Sequence, residues 1–221
     1  MNKVVITEKI EKMIDTIRYC GIDDPKIFST MRKIPRHYFI RNEFLDAAYD
    51  DCPLPIGNSQ TISQPFTVAF MLHHAELKQG ISVLEIGTGS GWSSCLAAEL
   101  VRPSKVISLE IIGDLAEFAN KNIEKVSKSE NISFKNLEII NSDGSLIFKK
   151  GKKFDRILFT AACPRIHPHF IEQLNDKGIL IAPFGSAGSQ QMIKIIKSGE
   201  IITEKNLGFF SFVPLTGKYG F

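Results

Sequence analysis

The run from Val83 to Trp92, VLEIGTGSGW, constrains this chain most, because it joins a buried strand, an acidic residue and three alternate glycines at the mouth of a helix. Ser82 to Ile86 is a short apolar run of the kind enclosed in a parallel sheet. Gly87, Gly89 and Gly91 let the backbone take φ > 0 and approach a ligand that any Cβ would obstruct. The helix expected over roughly Gly91 to Val101 aims its free N–H groups and positive dipole end back at that turn. A polar or anionic ligand group is expected there. Taken alone, the glycines also fit a tight turn with no ligand.

Spacing narrows the ligand. A dinucleotide fingerprint, GxGxxG, would need a third glycine at position 92, which is Trp92, and no Gly-Lys-Ser/Thr follows as in a Walker loop. The ExGxGxG pattern of Glu85, Gly87, Gly89 and Gly91 resembles motif I of the class I S-adenosylmethionine-dependent methyltransferases. That resemblance implies a ligand without phosphate, whose amine suits Glu85. Lys105 to Leu109 reads as a second strand ending in Glu110, the position at which doubly wound folds hold ribose hydroxyls, whichever nucleoside cofactor is bound. A third strand, Leu137 to Ile140, leads to Asp143-Gly144, which is either an acceptor for an adenine amino group or only a turn. A fourth, Arg156 to Thr160, ends in the small residues Thr160-Ala161-Ala162. These strand ends should converge on one crevice.

Composition supports an ordinary globular α/β protein. The 221 residues, 43% of them hydrophobic, suit one substantial core rather than two domains. A net charge of +3 gives no sign of a nucleic-acid or membrane binder, and Lys149, Lys150, Lys152 and Lys153 lack interleaved aromatics and read as a solvated turn. Cys20, Cys52, Cys95 and Cys163 form no CxxC pair, and His73-His74 has no matching ligand cluster, so neither a disulfide framework nor a metal site is expected. Lys3, Glu8, Lys9, Glu11 and Lys12 interrupt any signal-peptide apolar core, and no apolar run is long enough to span a membrane. A cytoplasmic protein is expected.

Along the chain, residues 1 to 79 read as a helical lead-in and substrate loop, and 80 to 221 as a cofactor-binding sheet with a closing C-terminal segment, the whole forming one domain. Thr7 is a candidate cap for a first helix with Ile10, Met13, Ile14 and Ile17 on one face, ending at Gly21. A second helix, Lys26 to Arg32, stops before Pro35. Asp50 to Pro65, DDCPLPIGNSQTISQP, reads as irregular backbone and a candidate binding loop, and Phe66 to Leu77 as a helix with Pro65 in its first turn.

PLPIGNSQTISQP, preceded by Ile34-Pro35-Arg36-His37-Tyr38-Phe39 and followed by VLEIGTGSGW, Thr160-Ala161-Ala162-Cys163-Pro164 and Phe212-Val213-Pro214-Leu215, closely resembles the protein-L-isoaspartate O-methyltransferases. The resemblance covers roughly residues 30 to 221. It implies a doubly wound, mostly parallel seven-stranded Rossmann-like α/β methyltransferase sheet with an N-terminal helical segment. Later strands are expected near Gly178 to Pro183, Met192 to Ile196 and Gly208 to Pro214. The implied activity is methyl transfer from S-adenosylmethionine, leaving S-adenosylhomocysteine, to the α-carboxylate of isoaspartyl residues in damaged proteins and peptides. The implied enzyme is a monomer without nucleic-acid or membrane partners. By the same resemblance Ser63 is the catalytic residue and, with Val213 and Thr216, a substrate contact. The implied cofactor contacts are Thr61, Ile62, Glu85, Gly87, Thr88, Gly89, Ser90, Gly91, Glu110, Ile111, Asp143, Gly144 and Thr160. The chain departs from the family pattern at Asn58-Ser59, where Tyr-Gly is usual, at Trp92, at Asn141-Ser142 and at Phe221.

That chemistry needs no general base. An α-carboxylate, with a pKa of about 3.3 to 3.7, is already a nucleophile near neutral pH. The protein has to align it with the methyl group and exclude water, for which a hydroxyl donor is enough. Ser63 fits that role; taken without its TISQP context it would equally fit a cap for the helix beginning near Pro65, and that context favours the catalytic role.

Overall fold

The computed structural model describes residues 3–186 and 188–221. A seven-stranded sheet runs in the order β5-β4-β3-β6-β7-β8-β9, built from β3 (Val83–Ile86), β4 (Val106–Glu110), β5 (Leu137–Asn141), β6 (Phe154–Phe159), β7 (Leu174–Ser186), β8 (Ser189–Ser198) and β9 (Ile201–Phe210). The pairs from β5 through β7 are parallel; β8 and β9 join as an antiparallel meander. The chain leaves β3 for β4 on one side and later returns to β6 on the other. The point between them is where open α/β sheets bind ligands.

Strand alternation divides the interior into two cores. Val83 and Val106 face a core shared with the helices α1 (Lys3–Tyr19), α2 (Pro25–Lys33), α3 (Pro65–His74), α4 (Trp92–Val101) and α5 (Gly113–Glu130). Leu84, Ile86, Ile107 and Leu109 face the other side, closed by Phe170 on the short α6 (Pro168–Glu172) and by Leu215. The same alternation sends Glu85, Ser108 and Glu110 to the α4 side. Parallel register sets Glu85 beside Ser108.

Several sequence expectations need correction. The apolar face of α1 is as expected, with Ile10, Met13, Ile14 and Ile17 buried and the helix closed by Gly21 at φ 99°. Thr7, however, lies inside α1, because the helix starts at Lys3, ahead of the apolar stripe that suggested the boundary. Residues 54–62 are not irregular: β1 (Leu54–Gly57) and β2 (Gln60–Ile62) form an antiparallel hairpin. Asn58 and Ser59 turn it with φ of 50° and 58°, the left-handed pair that matches strand twist. The last strand spans Ile201–Phe210 rather than Gly208 to Pro214. Residues 201 to 206 are exposed at the sheet edge and carry no alternation to read. Beyond Phe210 the chain leaves the sheet, and the Val213 carbonyl and Leu215 amide bond Ala162 at 2.8 and 2.7 Å. All four cysteines are free thiols. No described helix is long and apolar enough to cross a membrane, and the described residues hold no metal-ligand cluster.

Candidate active site

The glycine turn takes the conformation its sequence demands, with φ of 99°, 55° and 88° at Gly87, Gly89 and Gly91, but each glycine is required for a different reason. A Cβ on Gly87 would stand 2.5 Å from Thr160 Oγ1, and one on Gly91 would press on Ala119 of α5 at 3.3 Å. Gly89 meets only Ile56 at 3.4 Å. The open approach is therefore at Gly89, and Gly91 caps α4 in the left-handed region without lining the cleft.

Around this turn lies a cleft with about 950 Å³ of empty space, its open mouth included. It brings together Thr61, Ile62 and Ser63 from the hairpin side, Glu85 and Gly87 to Ser90 from motif I, Glu110 and Ile111, Gly144, Thr160, and Val213 and Thr216 from the C-terminal segment. Its described lining has two carboxylates and no lysine, arginine or histidine. A diphosphate would be repelled there, whereas a ligand bearing a sulfonium and an amine is electrostatically matched.

The carboxylates are held differently. Glu85 is fully buried, and its oxygens accept from the hydroxyls of Ser93, Ser94 and Ser108. Burial pushes its pKa up, against those hydrogen bonds. Glu110 accepts from the Gly89 amide at 2.9 Å and the Ile112 amide at 3.0 Å, one on each oxygen, so it braces the glycine turn and retains lone pairs for a diol. Asp143 differs from its expected placement: it does not line the cleft. One of its oxygens accepts from the Ser145 amide and hydroxyl, and the other from the Lys218 amide at 2.9 Å, so the carboxylate ties down the C-terminal residues while Gly144 faces the cleft.

Ser63 does not cap α3. The capping position is Gln64, with no side-chain cap bond, and the first-turn amide of Phe66 is taken at 2.7 Å by Asp51, which also accepts from Gln64 Nε2. Among the described residues the Ser63 hydroxyl makes no hydrogen bond, and it lines the cleft. Sequence reasoning missed two kinds of residue. Val68, Met71 and Leu72 form an apolar wall, signalled by their helical spacing on α3. Arg36, fully buried, donates Nη1 to the Ala48 carbonyl at 2.8 Å and Nη2 to those of Cys52 and Ser63 at 3.0 Å. Burial lowers its pKa to about 10, which still leaves it a cation at neutral pH.

The family model for protein-L-isoaspartate (D-aspartate) O-methyltransferases matches residues 8–220. The chain belongs to that family. It is 40% identical over 211 residues to the protein-L-isoaspartate O-methyltransferase of Methanoculleus marisnigri, covering 95% of this chain and 92% of that one. With the Pyrococcus horikoshii enzyme of the same name, identity is 39%, covering 100% and 98%. Among solved structures, a Plasmodium falciparum chain named for the same activity, in complex with S-adenosyl-L-homocysteine, superposes with a TM-score of 0.81 at 26% identity, covering 93% of this chain and 97% of that chain.

Proposed function

We infer that this protein transfers a methyl group from S-adenosylmethionine to the free α-carboxylate of L-isoaspartyl residues in damaged proteins and peptides, the first step of their repair. The observation that carries the reading is Ser63, whose hydroxyl has no hydrogen-bond partner among the described residues, lining the same cleft as the glycine turn and Glu110. When bound, S-adenosylmethionine supplies a methyl group activated by its sulfonium leaving group. Glu110 and the Gly87 to Ser90 backbone are the residues suited to hold its ribose and methionine portions. Ser63 would donate its hydroxyl hydrogen to the substrate carboxylate and hold one carboxylate oxygen, the nucleophile, aimed at the methyl group that the cofactor would supply. Val213 and Thr216, on the segment that the Val213 carbonyl and Leu215 amide tie to Ala162, close the far side and exclude water.

The substrates are proteins and peptides rather than nucleic acid or membrane, and the enzyme is proposed to act as a cytoplasmic monomer of one domain. Base-labile methyl ester formed on an isoaspartyl peptide, read as released methanol, tests the reaction. A folded protein that binds S-adenosylhomocysteine but forms no ester would contradict it.

A further inference from the structure

The cleft poses an electrostatic difficulty. Its described lining carries Glu85 and Glu110 and no cation, yet the nucleophile it must admit is an anion. Two cations bind the loop that presents Ser63: Arg41 donates to the Ile56 carbonyl at 2.8 Å, and Arg36, behind the loop, is the one among the described residues that bonds the Ser63 carbonyl itself. Its guanidinium bridges the carbonyls of Ala48, Cys52 and Ser63, while its carbon atom lies 5.5 Å from the centre of the Trp92 ring. Trp92 opens α4, directly after the glycine turn, and donates its indole N–H to the Ile34 carbonyl at 3.1 Å. Arg36 thus joins both ends of the hairpin to motif I. Among the described residues no carboxylate is hydrogen-bonded to it and its Nε is buried without a partner, so its direct contacts are neutral carbonyls; Asp50 and Asp51 act on it electrostatically without a hydrogen bond from their carboxylates and offset part of its charge.

We propose that Arg36 is a positioning and specificity-determining residue: it fixes the Ser63 segment against α4 and, through the Ser63 peptide group, supplies the positive potential by which the site prefers a free carboxylate to a neutral ester. A purely structural arginine would affect all ligands alike. A charge acting on the substrate carboxylate favours the acid over its methyl ester, which also favours release of the product. Lysine would keep the charge but not the planar fork that reaches the carbonyls of Ala48, Asp50, Cys52 and Ser63 at once.

The inference rests on the isoaspartyl reading, and its test separates the two. Affinities for an isoaspartyl peptide and for its α-methyl ester are measured with S-adenosylhomocysteine bound, for wild type, Arg36→Met and Arg36→Lys. Wild type should prefer the carboxylate. Arg36→Met should reduce that preference about tenfold, as expected for one charge acting across a peptide group at intermediate dielectric, with cofactor affinity kept. Arg36→Lys should keep the preference but raise peptide KM about tenfold, through a looser Ser63 segment, with kcat changed much less. An unchanged preference in folded Arg36→Met overturns the inference alone, while wild type binding neither peptide overturns the isoaspartyl reading with it. Should Arg36→Met fail to fold, wild-type kinetics in Arg36→Lys overturn the positioning role.

Discussion

Replacing Glu110 by glutamine probes the cofactor side of the cleft with almost no change of shape. The native carboxylate accepts from Gly89 N–H on one oxygen and Ile112 N–H on the other. A glutamine amide has only one acceptor oxygen, so one of these backbone donors must face an NH₂ group. Leaving that donor unsatisfied costs about 1–3 kcal/mol of stability, or a fall in Tm of about 2–4 °C per kcal/mol for a chain of this size. A ribose diol would in addition lose a charged acceptor, worth about 1.5–3 kcal/mol, which weakens S-adenosylhomocysteine binding about 10- to 100-fold. Calorimetric titration gives the affinity and a thermal melt gives the stability. A folded Glu110→Gln protein with wild-type affinity would refute the ribose role, and one that lost only stability would reduce Glu110 to a brace for the turn.

Three further perturbations test other parts of the account. Ser63→Ala should lower kcat/KM about 10- to 100-fold with cofactor affinity and melting unchanged, because Asp51 and not Ser63 caps α3; a loss of stability with normal kcat/KM would reverse that assignment. Asp51→Ala should cost about 0.5–2 kcal/mol in a denaturant melt by freeing the Phe66 amide, and an unchanged midpoint would remove the cap. Burial beside His73, Lys194 and Lys205 lowers the His74 pKa from 6.5 to about 4, so the unfolded chain takes up the proton first. Its stabilising contribution is present above pH 6.5 and is lost as pH falls from 6.5 towards 4; His74→Gln should flatten that part of the profile, and parallel profiles would contradict it.

What could be read from the sequence was whatever local geometry dictates. Alternate glycines ahead of a helix specify their own positive φ, the α1 stripe specifies its buried face, and Glu110 follows from strand alternation and the end of β4. The 58–59 turn was hidden because serine is an unusual occupant of the left-handed region, so the hairpin resembled an irregular loop. The bounds of β9 were hidden because an edge strand exposed along residues 201 to 206 leaves no pattern. Arg36 and Asp51 act on groups brought together only by the tertiary fold: Arg36 reaches Ser63, 27 positions away, and Asp51 caps Phe66, 15 positions on. Asp143 follows the third strand and matches the family's cofactor position, but the C-terminal amide that occupies its carboxylate lies 75 positions later, where the local sequence gives no sign of it.

The most direct test of the account compares two peptides that differ only in an L-isoaspartyl or an L-aspartyl linkage, incubated with methyl-labelled S-adenosylmethionine. A site that fixes its carboxylate through Ser63 must measure where that carboxylate hangs from the backbone, since a displacement of about 1 Å costs on the order of a hundredfold in rate. Strong labelling of the isoaspartyl peptide, with the aspartyl peptide about a hundredfold slower or less, is the predicted result. Equal labelling of the two, or labelling of neither, would contradict it.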